Sequence, residues 1–327
     1  MSRVAIVIVS GMILIVLSAD YFTNGVEWLG RGLGLRQNAV GTLLAAMGTA
    51  LPETLVPVVA VLSGTARSRV AIGIGAILGA PFMLSTLGFF ILGLGTWWVR
   101  RHSAVSARVP STLPRDLTFF LGAMSLALLA GFLPPAVKPV VGGGLVVAYF
   151  LFARQVLAAG RGADEAEPSA PLHLWHGAAP PLAVVVGQVG MALLGLVIGA
   201  HYFVDALIEL ARASGLNGFV LSVLLTPVAT ELPEVLNSII WLRRSRDTLA
   251  FGNVTGAMAF QASLVPALGM WLTPWRLQGS ELAVGAVSLA AAVWVLWRTR
   301  RAPTPGSLML AGLAYAALGG VFWFGAR

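Results

Sequence analysis

Apolar runs long enough to cross a bilayer recur from one end of this 327-residue chain to the other. No other feature restricts its fold as much. A helix that spans the hydrocarbon core needs about 20 predominantly apolar residues. Such runs lie near residues 4–28, 38–62, 70–98, 117–133, 136–157, 180–210, 218–242, 249–273, 280–298 and 305–324. Only 10% of the residues are charged and the mean hydropathy is +0.86, whereas a water-solvated domain carries about 25% charged residues. The first run ends at Ser18-Ala19 like a secretory signal. Its apolar region is long, Leu17 is a poor residue before a cleavage site, and the segment recurs internally, so it reads as the first membrane helix. The expected fold class is an all-α membrane protein of ten transmembrane helices.

One long polar connection, residues 158–176, carries Asp164, Glu165, Glu167 and Pro168 and leaves five spans on each side. Residues 19–53, ADYFTNGVEWLGRGLGLRQNAVGTLLAAMGTALPE, align without gaps to residues 200–234, AHYFVDALIELARASGLNGFVLSVLLTPVATELPE, at a constant offset of 181. Tyr21/Tyr202, Phe22/Phe203, Arg31/Arg212, Gly34/Gly215, Thr49/Thr230 and Pro52/Pro233 are among the matched pairs. Five is odd, so the second copy enters the membrane the other way up. The chain therefore reads as two inverted five-helix repeats, 1–157 and 177–327, joined by the 158–176 loop. Such repeats place a binding site near the midplane where they meet. Of the basic residues, 14 fall on the loops of one face (Arg31, Arg36, Arg100, Arg101, Arg108, Arg115, Arg154, Arg161, Arg243, Arg244, Arg246, Arg298, Arg300 and Arg301) and seven on the other. That bias places the first face and the 158–176 loop in the cytoplasm, with both termini outside a cell membrane; in a prokaryote this is the inner membrane. The net charge of +8 is topogenic rather than a nucleic-acid footprint.

Within the second and seventh spans sit Thr49-Ala50-Leu51-Pro52-Glu53 and Thr230-Glu231-Leu232-Pro233-Glu234. A carboxylate at the bilayer centre costs at least about 2.5 kcal/mol unless it faces a partner, a watery cavity, a proton or a metal. Helical spacing puts Thr49 one turn from Glu53 and Thr230 one turn from Glu234, and Glu231 can share that face. Pro52 and Pro233 lack an N–H and free the carbonyls of Gly48 and Ala229. Acidic, hydroxyl and carbonyl oxygens in one pocket suit a hard cation. One isolated glutamate could simply brace two helices, but two at equivalent repeat positions, each after a proline, argue for an ion site. Asp20, Glu27, Asp205, Glu209 and His201 lie toward span ends, where interfacial solvation suffices. Trp97, Trp98 and Trp297 read as interfacial anchors, and Gly142-Gly143-Gly144 as a close-packing helix face. Cysteine is absent and the four histidines have no HExxH spacing, so thiolate and zinc-protease chemistry is excluded.

At these residues the chain resembles the calcium/cation antiporter superfamily, which includes the sodium/calcium exchangers. Its repeats have the form G-T-S-x-P-E followed by G-N-x-x-G-S-N-x-F-N/D. The first element is matched by Gly48-Thr49-Ala50-Leu51-Pro52-Glu53 and Ala229-Thr230-Glu231-Leu232-Pro233-Glu234. The second is matched by Gly252-Asn253-Val254-Thr255-Gly256-Ala257-Met258-Ala259-Phe260-Gln261 and, more weakly, by residues 75–84. The resemblance implies that Glu53 and Glu234 are central calcium ligands, with oxygens from Thr49 and Thr230. Motif serines are replaced by Ala50, Glu231, Ala80 and Ala257, and the closing Asn/Asp positions by Leu84 and Gln261; the resemblance implies that several of these positions help form the sodium sites of sodium/calcium exchangers. Glu231 can supply a carboxylate where a serine hydroxyl stood, and Gln261 completes the expected ligand set. The implied function is a secondary antiporter, not an enzyme, that expels Ca2+ against Na+. The alternative is a proton-coupled exchanger, in which the neighbouring Glu231 and Glu234 would make transport depend on pH. A non-transporting protein of the same fold is the third reading. The implied partners are the lipid bilayer and the transported cations, with no cofactor, nucleic acid or obligate protein partner.

Overall fold

The computed structural model describes residues 2–32, 51–62, 67–101, 110–159, 171–175, 177, 179–215, 217–243, 247–301 and 304–325. Among them all regular structure is helical. The first apolar run forms α1 (Ser2–Gly32), and the end of the second forms α2 (Leu51–Leu62). The third run is one rod made of α3 (Arg67–Met83), a π-helical turn (Leu84–Gly88) and α4 (Phe89–Arg101). Next come α5 (Leu113–Ala130), α6 (Lys138–Ala159) and α7 (Leu182–Ser214). A rod broken at one residue follows, α8 (Gly218–Thr230) and α9 (Leu232–Arg243). Last are α10 (Asp247–Leu272), α11 (Gly279–Thr299) and α12 (Pro305–Gly325). Seven of the described helical segments are long and apolar enough to cross a membrane.

Outward-facing apolar residues show what the solvent must be. On α1, Ile6, Val9, Ile13 and Leu17 recur every three to four residues and are each more than half exposed. Val140, Val147 and Phe150, seven and three residues apart, are likewise more than half exposed on α6. In water a stripe of that size is an association hazard, whereas in lipid it is the ordinary outer face of a bundle. Trp97, Trp98 and Trp297 are exposed in the same way, and Arg298 and Arg301 stack on Trp297, as anchors at a membrane interface do.

The interior divides into two apolar clusters. One packs α1 and α7 against parts of α2, α3 and α8. The other gathers α5, α10, α11, α12 and the rest of the α3–α4 rod. Along α1 and α7, Gly11 faces Phe203, Gly199 faces Ile15, Gly195 faces Ser18 and Gly25 faces Val189. Numbers rise on one helix as they fall on the other, so the pair is antiparallel, and small residues let the backbones approach. Gly75 and Gly79 do the same for α3 against α8: a Cβ at Gly79 would lie 2.9 Å from Val223 Cα and from Pro227 Cγ. In the Gly142-Gly143-Gly144 stretch, only Gly142 makes such an approach, to the Ala267 backbone and Trp271, while Gly143 and Gly144 meet no described atom within 4 Å.

Span boundaries also differ at one turn. The fourth run ends as a helix at Ala130 rather than continuing to residue 133, with Gly131 N–H bonded to Leu128 O. Lys138 then folds its ammonium onto the carbonyls of Gly131, Pro274 and Trp275, at 3.4, 2.8 and 2.9 Å. Three donors meet three carbonyls, so the buried cation is solvated by the backbone and ties two loops together.

Candidate cation site

The pocket begins with the interruption between α8 and α9. Glu231 stands there with φ −92° and ψ −5°, off the regular helical geometry. Its N–H still reaches Pro227 O at 2.8 Å and its carbonyl accepts from Val235 N–H at 3.1 Å. The two segments are thus bent at Glu231 rather than severed. Two residues on, Pro233 has no N–H to return. Far away in sequence, Glu53 stands in the first turn of α2, while Gln261 projects from the middle of α10.

These side chains converge. Glu231 and Gln261 are fully buried, Thr230 is 1% exposed and Glu53 3%. Gln261 Nε2 donates to Glu231 Oε1 at 2.7 Å and, at the long limit of 3.5 Å, to Glu53 Oε1. Thr230 Oγ1 lies 3.4 Å from Glu231 Oε1 and 3.3 Å from Thr226 O. Glu231 Oε2 and Gln261 Oε1 are buried with no hydrogen-bond partner among the described residues. Buried acceptors left over in this way are costly unless something else satisfies them.

Of the residues singled out from sequence, the structure brings together Glu53, Thr230, Glu231 and Gln261. Thr49 lies outside the described residues, and so does the side chain of Glu234, whose backbone belongs to α9. The one-turn relation expected for Thr230 and Glu234 is interrupted, because Thr230 ends α8 and Glu231 is the break. Among the described residues no three His, Asp or Glu side chains cluster. The described pocket is therefore two carboxylates, a carboxamide and a hydroxyl: oxygen donors of the kind hard cations take.

Two sets of residues escaped the sequence reading. Ser222 and Thr226 are buried on the face of α8 that carries Thr230. Ser222 Oγ donates to Ile72 O at 2.7 Å and lies 3.0 Å from Thr226 Oγ1. Hydroxyls at 222, 226 and 230 repeat every four residues, a spacing that marks one helix face. The second is Asp116, 5% exposed in the first turn of α5. Arg115 Nη2 pairs with it at 2.8 Å, and Thr255 Oγ1, from the second motif, donates to its Oδ2 at 3.0 Å. It lies one residue before the fourth apolar run, which begins near residue 117.

Other ionisable residues form pairs away from the pocket. His173 Nε2 is 2.9 Å from Asp20, Arg69 is 2.8 Å from Asp205, and His201 is 3.4 Å from the same carboxylate. Asp20 and Glu209 are exposed, and the side chain of Glu27 is outside the described residues.

Comparison with known proteins gives a consistent result. The family model described as sodium/calcium exchanger protein matches residues 3–157 and 184–323. The inner membrane protein YrbG of Escherichia coli (strain K12) is 26% identical over 325 residues, covering 97% of this chain and 96% of YrbG. CaxA of Alkalimonas amylolytica is 25% identical over 295 residues, 88% of this chain and 83% of CaxA. Among solved structures, the H+/Ca2+ exchanger CAX superposes with a TM-score of 0.73 at 14% identity, covering 99% of this chain and 86% of CAX. The sodium-calcium exchanger NCX_Mj superposes at 0.59 with 20% identity, covering 97% and 98%. At such identities the two superpositions establish a shared fold.

Proposed function

The chain belongs to the sodium/calcium exchanger protein family and is a multi-pass membrane cation antiporter, and we propose that it exports Ca2+ in exchange for inward Na+. The observation that carries the reading is the meeting of Glu53 from the first half with Thr230, Glu231 and Gln261 from the second, all buried in an apolar bundle. Carboxylates so placed are retained for an ion rather than for stability, since removing two charges from water costs several kcal/mol each. Glu234, which follows Pro233 as Glu53 follows Pro52, adds a third carboxylate to the proposed ligand set, and Thr49 a second hydroxyl. We place this pocket at the meeting of two inverted five-helix halves, 1–157 and 177–327, in a ten-helix bundle with both termini outside and the 158–176 loop in the cytoplasm. The α8–α9 bend at Glu231 supports this, because interrupted helices are how transporters bring backbone and side-chain oxygens to one depth.

Protons are the second reading for the driving ion. It is favoured by one observation: two buried carboxylates, Glu231 and Glu53, reach the same amide nitrogen, and carboxylates inside a membrane are the usual parts of proton relays. Calcium flux into proteoliposomes at fixed pH, with sodium and proton gradients imposed separately, decides between them. Flux that follows sodium supports the first reading. Flux that ignores sodium and follows an imposed proton gradient replaces it with the second, and no cation flux under any gradient overturns both.

A further inference from the structure

We propose that Gln261 is a two-position switch: in the empty site its amide nitrogen stands in for the cation, and cation entry turns the amide so that its oxygen becomes a ligand. The inference rests on the cation pocket proposed above and adds to it how the empty pocket is held. A carboxylate oxygen only accepts hydrogen bonds, so the Gln261 atom 2.7 Å from Glu231 Oε1 is the N–H donor. The same nitrogen is 3.5 Å from Glu53 Oε1. Two oxygens that close to one nitrogen stand at most about 6 Å apart, and a calcium ion at about 2.3–2.6 Å from each of two opposed oxygens needs about 5 Å between them. The amide nitrogen thus holds the place that an ion shared by the two carboxylates would take.

The other end of the amide is equally informative. Gln261 Oε1 and Glu231 Oε2 are buried and have no partner among the described residues. They are a neutral and an acidic oxygen left over where a cation has to be held. Turning the terminal amide by half a revolution exchanges donor for acceptor without moving the helix, because that torsion is broad and two-fold. Neither an acid nor an apolar residue at 261 can serve both states. A carboxylate would set a third acceptor against Glu231 and Glu53, and an apolar side chain would leave the two carboxylates facing each other with nothing between them.

The test uses the whole protein in lipid nanodiscs with glutamine side chains labelled with 15N. The Gln261 amide signal is the one that disappears in Gln261→Glu. Calcium is then titrated while binding is followed by calorimetry on the same sample. The switch predicts that this signal moves in step with the binding isotherm. It also predicts that Gln261→Leu, which has neither donor nor ligand, binds calcium at least tenfold more weakly. Calorimetric binding with a Gln261 signal that does not move overturns the switch and leaves the pocket standing. Absence of both calcium and sodium binding in the parent protein overturns the pocket and the switch together.

Discussion

At the scale of single residues, the pocket separates what charge does from what shape does. Glu53 and Glu231 are buried carboxylates far apart in the sequence, brought to within hydrogen-bond reach of one amide. Replacing either by glutamine keeps the volume and removes a charge. Glu53→Gln and Glu231→Gln are each expected to weaken calcium binding by at least about tenfold, about 1.4 kcal/mol, in calorimetry on purified protein. Thermal stability should hold or rise, since a buried charge has been relieved. A melting temperature that collapses with either change would mean that the glutamate braces the fold. The threonine is a weaker ligand: Thr230→Val removes one neutral oxygen and should lower affinity by a smaller factor than either carboxylate change. These three residues were legible in the sequence because a polar group inside an apolar run is conspicuous. Asp116 was not, because it sits where such a run begins, and a carboxylate at an edge looks like a solvated one until Arg115 and Thr255 are seen closing over it.

At the scale of elements, small residues set the distances on which the pocket depends. Gly75 and Gly79 bring α3 against α8, and Ser222 Oγ bonds to the Ile72 carbonyl across the same contact. A side chain at 79 would meet both the backbone of Val223 and the ring of Pro227, neither of which can move aside cheaply. Gly79→Val is expected to cost about 1–3 kcal/mol or more through overpacking, read as a lower melting temperature in detergent. Gly143→Ala, whose new methyl meets no described atom within 4 Å, should leave it unchanged within about 0.5 kcal/mol. Among the described residues, hydrophobic length identified the rods within a few residues, because apolar runs and helices have the same causes in a membrane; residues 38–50 of the second run lie outside them. The bend at Glu231 was foreshadowed by Pro233. The contact between Gln261 and Glu231 was not, since it joins residues on two rods and depends on how those rods cross.

At the scale of the whole molecule, topology is the property most exposed to test. The proposed orientation rests on the 14 basic residues of one face against seven of the other. A reporter enzyme fused after Arg327 should therefore be active only outside the cytoplasm, and activity confined to the cytoplasm would invert the assignment. Helix α1 is 31 residues long and α7 is 33, or about 46 and 50 Å at 1.5 Å per residue. A hydrocarbon core of about 30 Å is shorter than either rod, so each extends past it or tilts. Because they pack on each other through Gly11, Gly195 and Gly199, a tilt of one is a tilt of both. Any mismatch with the thickness of the bilayer is then met by the two helices as a single unit.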